Sequence, residues 1–230
     1  MKGQLSMEKQ FDFEELLVKS FINNYNKSEH EIIIKEMPIR FGNIDIVSIK
    51  NSTLPFKKDQ IEVLSKPASA LIFSKIKNER PISKNTLVRT VGLSKATIDK
   101  VLYELLNSNL IVKKKNNYLR ERSFKFPKTT IIGYEAKLKD FNKAFYQAKN
   151  NKEFIDYSYL VFPEHIARKL IISKKELLKT RGIGLIGVNE NENITLLKAK
   201  KLKGPNNHIR LLNITKANVL KECNSKNIAG

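Results

Sequence analysis

The chain has few of the residues that build cross-links or soft metal sites. Among its 230 residues are one cysteine, Cys223, and three histidines. A lone cysteine excludes an internal disulfide, and His30, His165 and His208 lie too far apart in sequence for a local zinc signature. Any bound metal must therefore be held by oxygen. Long apolar runs are missing as well. Nothing approaches the ~20 residues that span a bilayer, and MKGQLSMEKQFDFEELLVKS has no continuous apolar segment resembling a signal peptide, so a cytoplasmic protein is expected. Acidic residues are scarce beside basic ones, 23 Asp and Glu against 43 Lys and Arg, for a formal net charge of +20. Such an excess points to a polyanionic partner, and the absence of a membrane segment favours nucleic acid over an anionic membrane surface. Internal repeats and low-complexity tracts are also missing. What is present, 41% hydrophobic residues, can build a real core in one large domain or two small ones.

Hydrophobic periodicity predicts a first helix from about residue 10 to 24, with Phe13, Leu16, Leu17 and Phe21 on its apolar stripe. Two apolar, β-branched stretches follow, EIIIKEM (31–37) and IDIVSI (44–49). PIRFGN between them supplies the Pro and Gly of a hairpin turn. From residue 66 the pattern becomes helical: KPASALIFSKIKN, a short ISKNTLVRTVG, and SKATIDKVLYELLNSN with Ser94 as N-cap. LIVKKKNNYLRERSFKF then alternates around a KKNN turn, as a small basic hairpin does. Strand character returns in TTIIGYEAKLK. A helix from Asp140 to about Phe154, the strand YSYLVF, a helix ending in KKELLKTRG and the strand GIGLIGV come next. ITLLKAKKL reads as a last strand and NITKANVLKEC as a short terminal helix.

Helix, short helix, GLSKATIDKVLYEL and basic hairpin together resemble a winged helix-turn-helix domain over residues 66–126. The Val91-Gly92-Leu93-Ser94 turn is the most specific part. The resemblance implies that the third helix leads into a DNA major groove with Ser94, Lys95, Thr97 and Ile98, and that Lys100 and the hairpin's Lys113, Lys114 and Lys115 contact nucleic acid. Residues 66–128 hold fifteen Lys and Arg against four Asp and Glu, a local surplus suited to phosphate contact.

Setting residues 52–128 aside brings IDIVSIKN next to TTIIGYEAK, and the outer elements then run helix, three strands, helix, strand. Asp45 in GNIDIV with Glu135-Ala136-Lys137 resembles the motif of the PD-(D/E)XK nuclease superfamily, in which Asp and Glu-x-Lys sit on adjacent strands of one hairpin. The resemblance implies a restriction-endonuclease-like α/β fold, a mixed sheet flanked by helices. Its core would comprise residues 1–51 and 129–230, with a winged-helix module and linkers, 52–128, inserted at the hairpin tip. It implies Mg²⁺ or Mn²⁺ bound by Asp45, Glu135 and the Ala136 carbonyl, with Lys137 beside the attacking water. Hard oxygen ligands suit such an ion, which polarises the scissile phosphate and acidifies a bound water. Many members add a glutamate from the first helix. Glu14 flanks the apolar stripe whereas Glu15 points nearly opposite it, so Glu14 is chosen as metal and catalytic residue. Gln147, on the helix after Glu-x-Lys, stands where some members carry a Gln near the substrate phosphate.

GIGLIG (182–187) matches G-x-G-x-x-G, but it follows a Lys-rich helix and runs into NENEN. The dinucleotide fingerprint needs a strand before and a helix after, so the stretch is read as a core strand. The functional expectation is a metal-dependent endonuclease acting on DNA, duplex DNA in the first instance, and a homodimer on symmetry grounds. The competing readings are a non-catalytic DNA-binding regulator that uses the nuclease-like core as a dimerisation scaffold, and an enzyme of RNA or branched junctions.

Overall fold

The architecture is taken from a computed structural model, which describes residues 11–40 and 42–226, the last three without their side chains. Residue 10 of the expected first helix, Phe41 of the expected turn and the first ten residues of the 1–51 segment lie outside the described residues. The elements begin with α1 (Glu14–Asn23), β1 (Glu31–Ile39), β2 (Gly42–Lys50), α2 (Lys58–Leu64), α3 (Pro67–Lys75) and β3 (Ile82–Ser83). Next are α4 (Lys84–Val91), α5 (Lys95–Asn107), β4 (Ile111–Lys114), β5 (Asn117–Arg120) and β6 (Thr130–Ala136). The chain continues through α6 (Phe141–Asn150), a 3-10 turn (Asn151–Glu153), β7 (Tyr157–Pro163), α7 (Glu164–Arg181), β8 (Gly184–Val188), β9 (Asn193–Leu197) and α8 (Asn207–Lys226).

Six strands form one sheet in the order β1-β2-β6-β7-β8-β9. β6, β7 and β8 run parallel and β9 is antiparallel to β8, so the sheet is mixed. With eight helices among the described residues, the protein is of the α/β class. β2 and β6, distant in sequence, are direct neighbours. The chain divides into two compact units: residues up to Glu29, Lys35–Ser48 and Ile131–Gly204 in the first; His30–Ile34, Ile49–Thr130 and residues from Pro205 in the second.

In the first unit the inner strands β7 and β8 are apolar and buried almost throughout, as parallel strands covered on both faces must be. Helix α1 buries Leu17 and Phe21, and the Phe21 ring lies 4.9 Å from that of Tyr134 on β6. Polar bonds fix its height. Ser20 Oγ and Asn24 Nδ2 both donate to the Asn189 carbonyl, and Asn193 Nδ2 donates to the Phe21 carbonyl. The expected stripe is shorter than its sequence pattern: Phe13 precedes the helix as its N-cap and is exposed, as is Leu16. Strand β8 accounts for the glycine-rich stretch. Gly182 ends α7 in a left-handed conformation (φ 70°), and a Cβ on Gly184 would lie 2.3 Å from the Tyr159 ring. Gly187 gives room to α7, where a Cβ would lie 3.2 Å from Glu164 Cα.

The second unit holds α3, α4, α5 and a three-stranded antiparallel sheet in the order β3-β5-β4. Its core includes Leu64, Phe73, Ile76, Leu87, Ile98, Leu102 and Leu105. Ser83 and Ser94 cap α4 and α5, accepting from the Thr86 and Thr97 amides, and Gly92 closes α4 at φ 67°. Lys115 occupies the β4–β5 turn at φ 54°. Two short elements, α2 and β3, fall where only linker and helix were expected. The larger correction concerns the C-terminus. The terminal helix is 20 residues long and belongs with the second unit, so the expected core of 129–230 ends near Gly204. Its buried Leu211 joins the core of α3 and α5, and Thr215 Oγ1 donates to the Leu64 carbonyl of α2.

Candidate active site

The sheet and α1 bring four of the sequence-selected side chains together in the first unit. Asp45 sits on β2 beside the end of β6. The Ala136 amide donates to Asp45 Oδ2 at 2.9 Å, so a carboxylate fills the place of a strand carbonyl. Lys137 follows the last residue of β6 and is tied to β7 by its amide, which donates to the Val161 carbonyl. Its ammonium donates to Asp45 Oδ2 (2.9 Å), Glu14 Oε2 (3.3 Å) and the Ala136 carbonyl (2.8 Å). Glu14 thus reaches the site, as the helical-wheel choice over Glu15 anticipated, because α1 is pinned one turn on by Leu17 and Phe21.

Glu135 is fully buried, and its Oε1 accepts from Asn151 Nδ2 of the 3-10 turn. Its other oxygen, Oε2, is buried and has no hydrogen-bond partner. Burial, then the adjacent Asp45 carboxylate, pushes the Glu135 carboxyl up to about 8. Lys137 responds oppositely. Burial works against its charge, but the hydrogen bond and charge of Asp45, joined by Glu14, outweigh it and raise the ammonium above its ordinary range.

These residues fit a hard divalent cation. Asp45, Glu135, Glu14 and the Ala136 carbonyl offer oxygen ligands only, and Glu135 Oε2 is a buried oxygen with no hydrogen-bond partner. Among the described residues no three acidic, His or Cys side chains stand ready as a cage; the ammonium of Lys137 lies between Asp45 and Glu14 instead. Sequence reasoning missed Asn151. Its signal is faint, a second Asn after a helix, and only packing shows that it meets Glu135. Gln147, on α6, is near this turn rather than among the carboxylates, and its Oε1 is buried without a partner.

The other selected residues belong to the second unit. Lys95 and Lys100 on α5 and Lys113, Lys114 and Lys115 on the β4–β5 hairpin are exposed. Ser94 and Thr97 use their hydroxyls on each other and on the cap. Ile98, expected among the leading positions of that helix, is instead fully buried in the unit's core. No helix among the described residues is long and apolar enough to cross a membrane. No known protein family, curated protein or solved structure matches the chain.

Proposed function

We propose that the protein is a metal-dependent DNA endonuclease of the PD-(D/E)XK, restriction-endonuclease-like superfamily, with an inserted winged helix-turn-helix module that binds DNA. One observation carries the reading: Glu14, Asp45 and Lys137 meet within hydrogen-bonding distance, beside a Glu135 held in the interior. The element order α1-β1-β2-β6-α6-β7, with Asp45 and Glu-x-Lys on neighbouring strands, supports it. A scaffold needs none of these four residues, and three carboxyls around a buried lysine are expensive to assemble without use.

In this reading Asp45, Glu135, Glu14 and the Ala136 carbonyl hold Mg²⁺ or Mn²⁺. When bound there, the ion would supply Lewis acidity at the scissile phosphate and lower the pKa of a water. Lys137 has the remaining tasks. Its ammonium, aimed by Asp45 and the Ala136 carbonyl, orients the attacking water and stabilises its hydroxide. Asn151 holds Glu135 by one carboxyl oxygen, Oε1, and leaves Oε2 for the ion. The exposed lysines of α5 and of the β4–β5 hairpin hold phosphates. The test is incubation of supercoiled plasmid and of junction DNA with Mg²⁺, Mn²⁺ or a chelator. Cleavage only with metal is expected; DNA binding with no metal-dependent cleavage of any substrate would favour the regulator.

A further inference from the structure

A cavity of about 550 Å³ in the first unit lies next to the acidic site but takes no part in the chemistry above. Asn43, Gln147, Asn150 and Asn151 line it, together with Tyr146 and Lys152. Each of the four carboxamides brings both a donor and an acceptor to the cavity, from its buried wall in the case of Asn151 and from its exposed rim in the case of Asn43 and Asn150. One of these is unmet: Gln147 Oε1 is buried and has no partner. Asn43 Nδ2 donates to Glu36 Oε2 at 3.3 Å, and both Asn43 and Asn150 are exposed. Tyr146 is 66% exposed, a large ring left in water at the rim.

The volume, the amides and the ring are together what a single nucleobase needs. Carboxamides pair with the donor and acceptor edges of bases, and an exposed aromatic ring stacks on a base taken out of its helix. Lys152 and Glu153 both line the cavity, and the exposed Lys152 ammonium suits the nucleotide's phosphate. The cavity also touches the chemistry, because Asn151 both lines it and donates to Glu135.

We propose that this cavity holds a nucleobase unstacked from the strand beside the cut, so that the substrate carries an unpaired nucleotide at that point rather than being continuous duplex. This rests on the nuclease reading, and it adds the class of substrate. Tyr146 stacks on the base, the carboxamides meet its edge, and Asn151 couples occupancy of the cavity to the position of Glu135.

The test binds a duplex with one unpaired 2-aminopurine and the matched continuous duplex to the full chain in chelator, so that nothing is cut. Binding should quench the unpaired 2-aminopurine. Tyr146→Ala should abolish the quench and weaken binding of that DNA about tenfold, leaving the continuous duplex unaffected. Asn150→Leu, also at an exposed position, should weaken it in the same selective way. With Mg²⁺, wild type should cut beside the unpaired nucleotide faster than continuous duplex, and Tyr146→Ala should lose that preference. No quench, or an equal quench in Tyr146→Ala, overturns the proposal even if plasmid is cleaved. A Tyr146-dependent quench without cleavage of any DNA upholds the cavity and removes the nuclease reading alone.

Discussion

Lys137 and Arg120 are both buried cations, one in each unit, and their surroundings are opposite. Arg120 ends β5 among neutral groups. It donates to Asn78 Oδ1 and to the carbonyls of Phe124 and Phe73, and its guanidinium lies 4.8 Å from the Phe73 ring and 5.4 Å from those of Phe124 and Phe126. Burial lowers it to about 10. Lys137 is met by two carboxylates and rises. Burial of charge alone therefore does not mark chemistry. A cation enclosed by rings and carbonyls braces a core, whereas one placed among carboxyls, with a third carboxyl buried beside it, is the arrangement on which the proposed chemistry rests.

Arg120→Ala breaks the bracing side of this contrast. It empties the space between three phenylalanine rings and strands Asn78, so it should cost about 3 kcal/mol, read from urea unfolding of the full chain. Cleavage per folded molecule should be unchanged. A loss of cleavage with stability intact would put Arg120 on the catalytic side instead.

Glu135→Gln sharpens the reactive side. A carboxyl with a folded pKa near 8 and an unfolded one near 4.5 binds more protons folded than unfolded across that interval. Stability in chelator should therefore fall as pH rises from about 4.5 to 8. The glutamine variant lacks this term. It should be more stable than wild type at pH 8, with the gap closing as pH falls to 4.5, measured as the difference in melting curves. The same proton opposes the cation, so Mg²⁺ affinity of wild type should rise over this pH range. Equal pH profiles of the two proteins would show that Glu135 is already ionised.

Changing Lys113, Lys114 and Lys115 together to Ala has the smallest effect. They are solvated and no core rests on them, so melting should not move. Binding to duplex DNA should weaken, with the slope of log affinity against log salt smaller by about 2 to 3. An unchanged slope would make them an ordinary solvated turn.

Much of this was legible in the residues because the signals were local. The Pro and Gly between two β-branched runs placed the β1–β2 hairpin, Ser94 marked the start of α5, and the apolar run of TTIIGYEAKLK marked β6, which ends at Ala136, one residue before Lys137. Asp45 could be joined to them only by treating 52–128 as an insertion, and its place beside the Ala136 amide bears out the adjacency of the strands. What stayed hidden depends on packing between distant segments. Nothing near Phe13 says that the helix starts one residue later and leaves the ring in water. NITKANVLKEC does not reveal that its helix packs on α2 and α3, where Leu211 is buried, Thr215 bonds to the Leu64 carbonyl and Glu222 pairs with Lys58. Arg120 reads as one more surface charge of a basic hairpin. Asn151 carries no motif at all.

Whether Lys137 stands beside the reacting water is decided by comparing wild type with Lys137→Ala on plasmid and junction DNA in Mg²⁺ and in chelator. Cleavage in Mg²⁺ that drops by roughly 10²- to 10³-fold in the variant, with DNA binding retained, is the predicted result. Equal cleavage by the two proteins would contradict it and leave Lys137 as an ion-pair partner only.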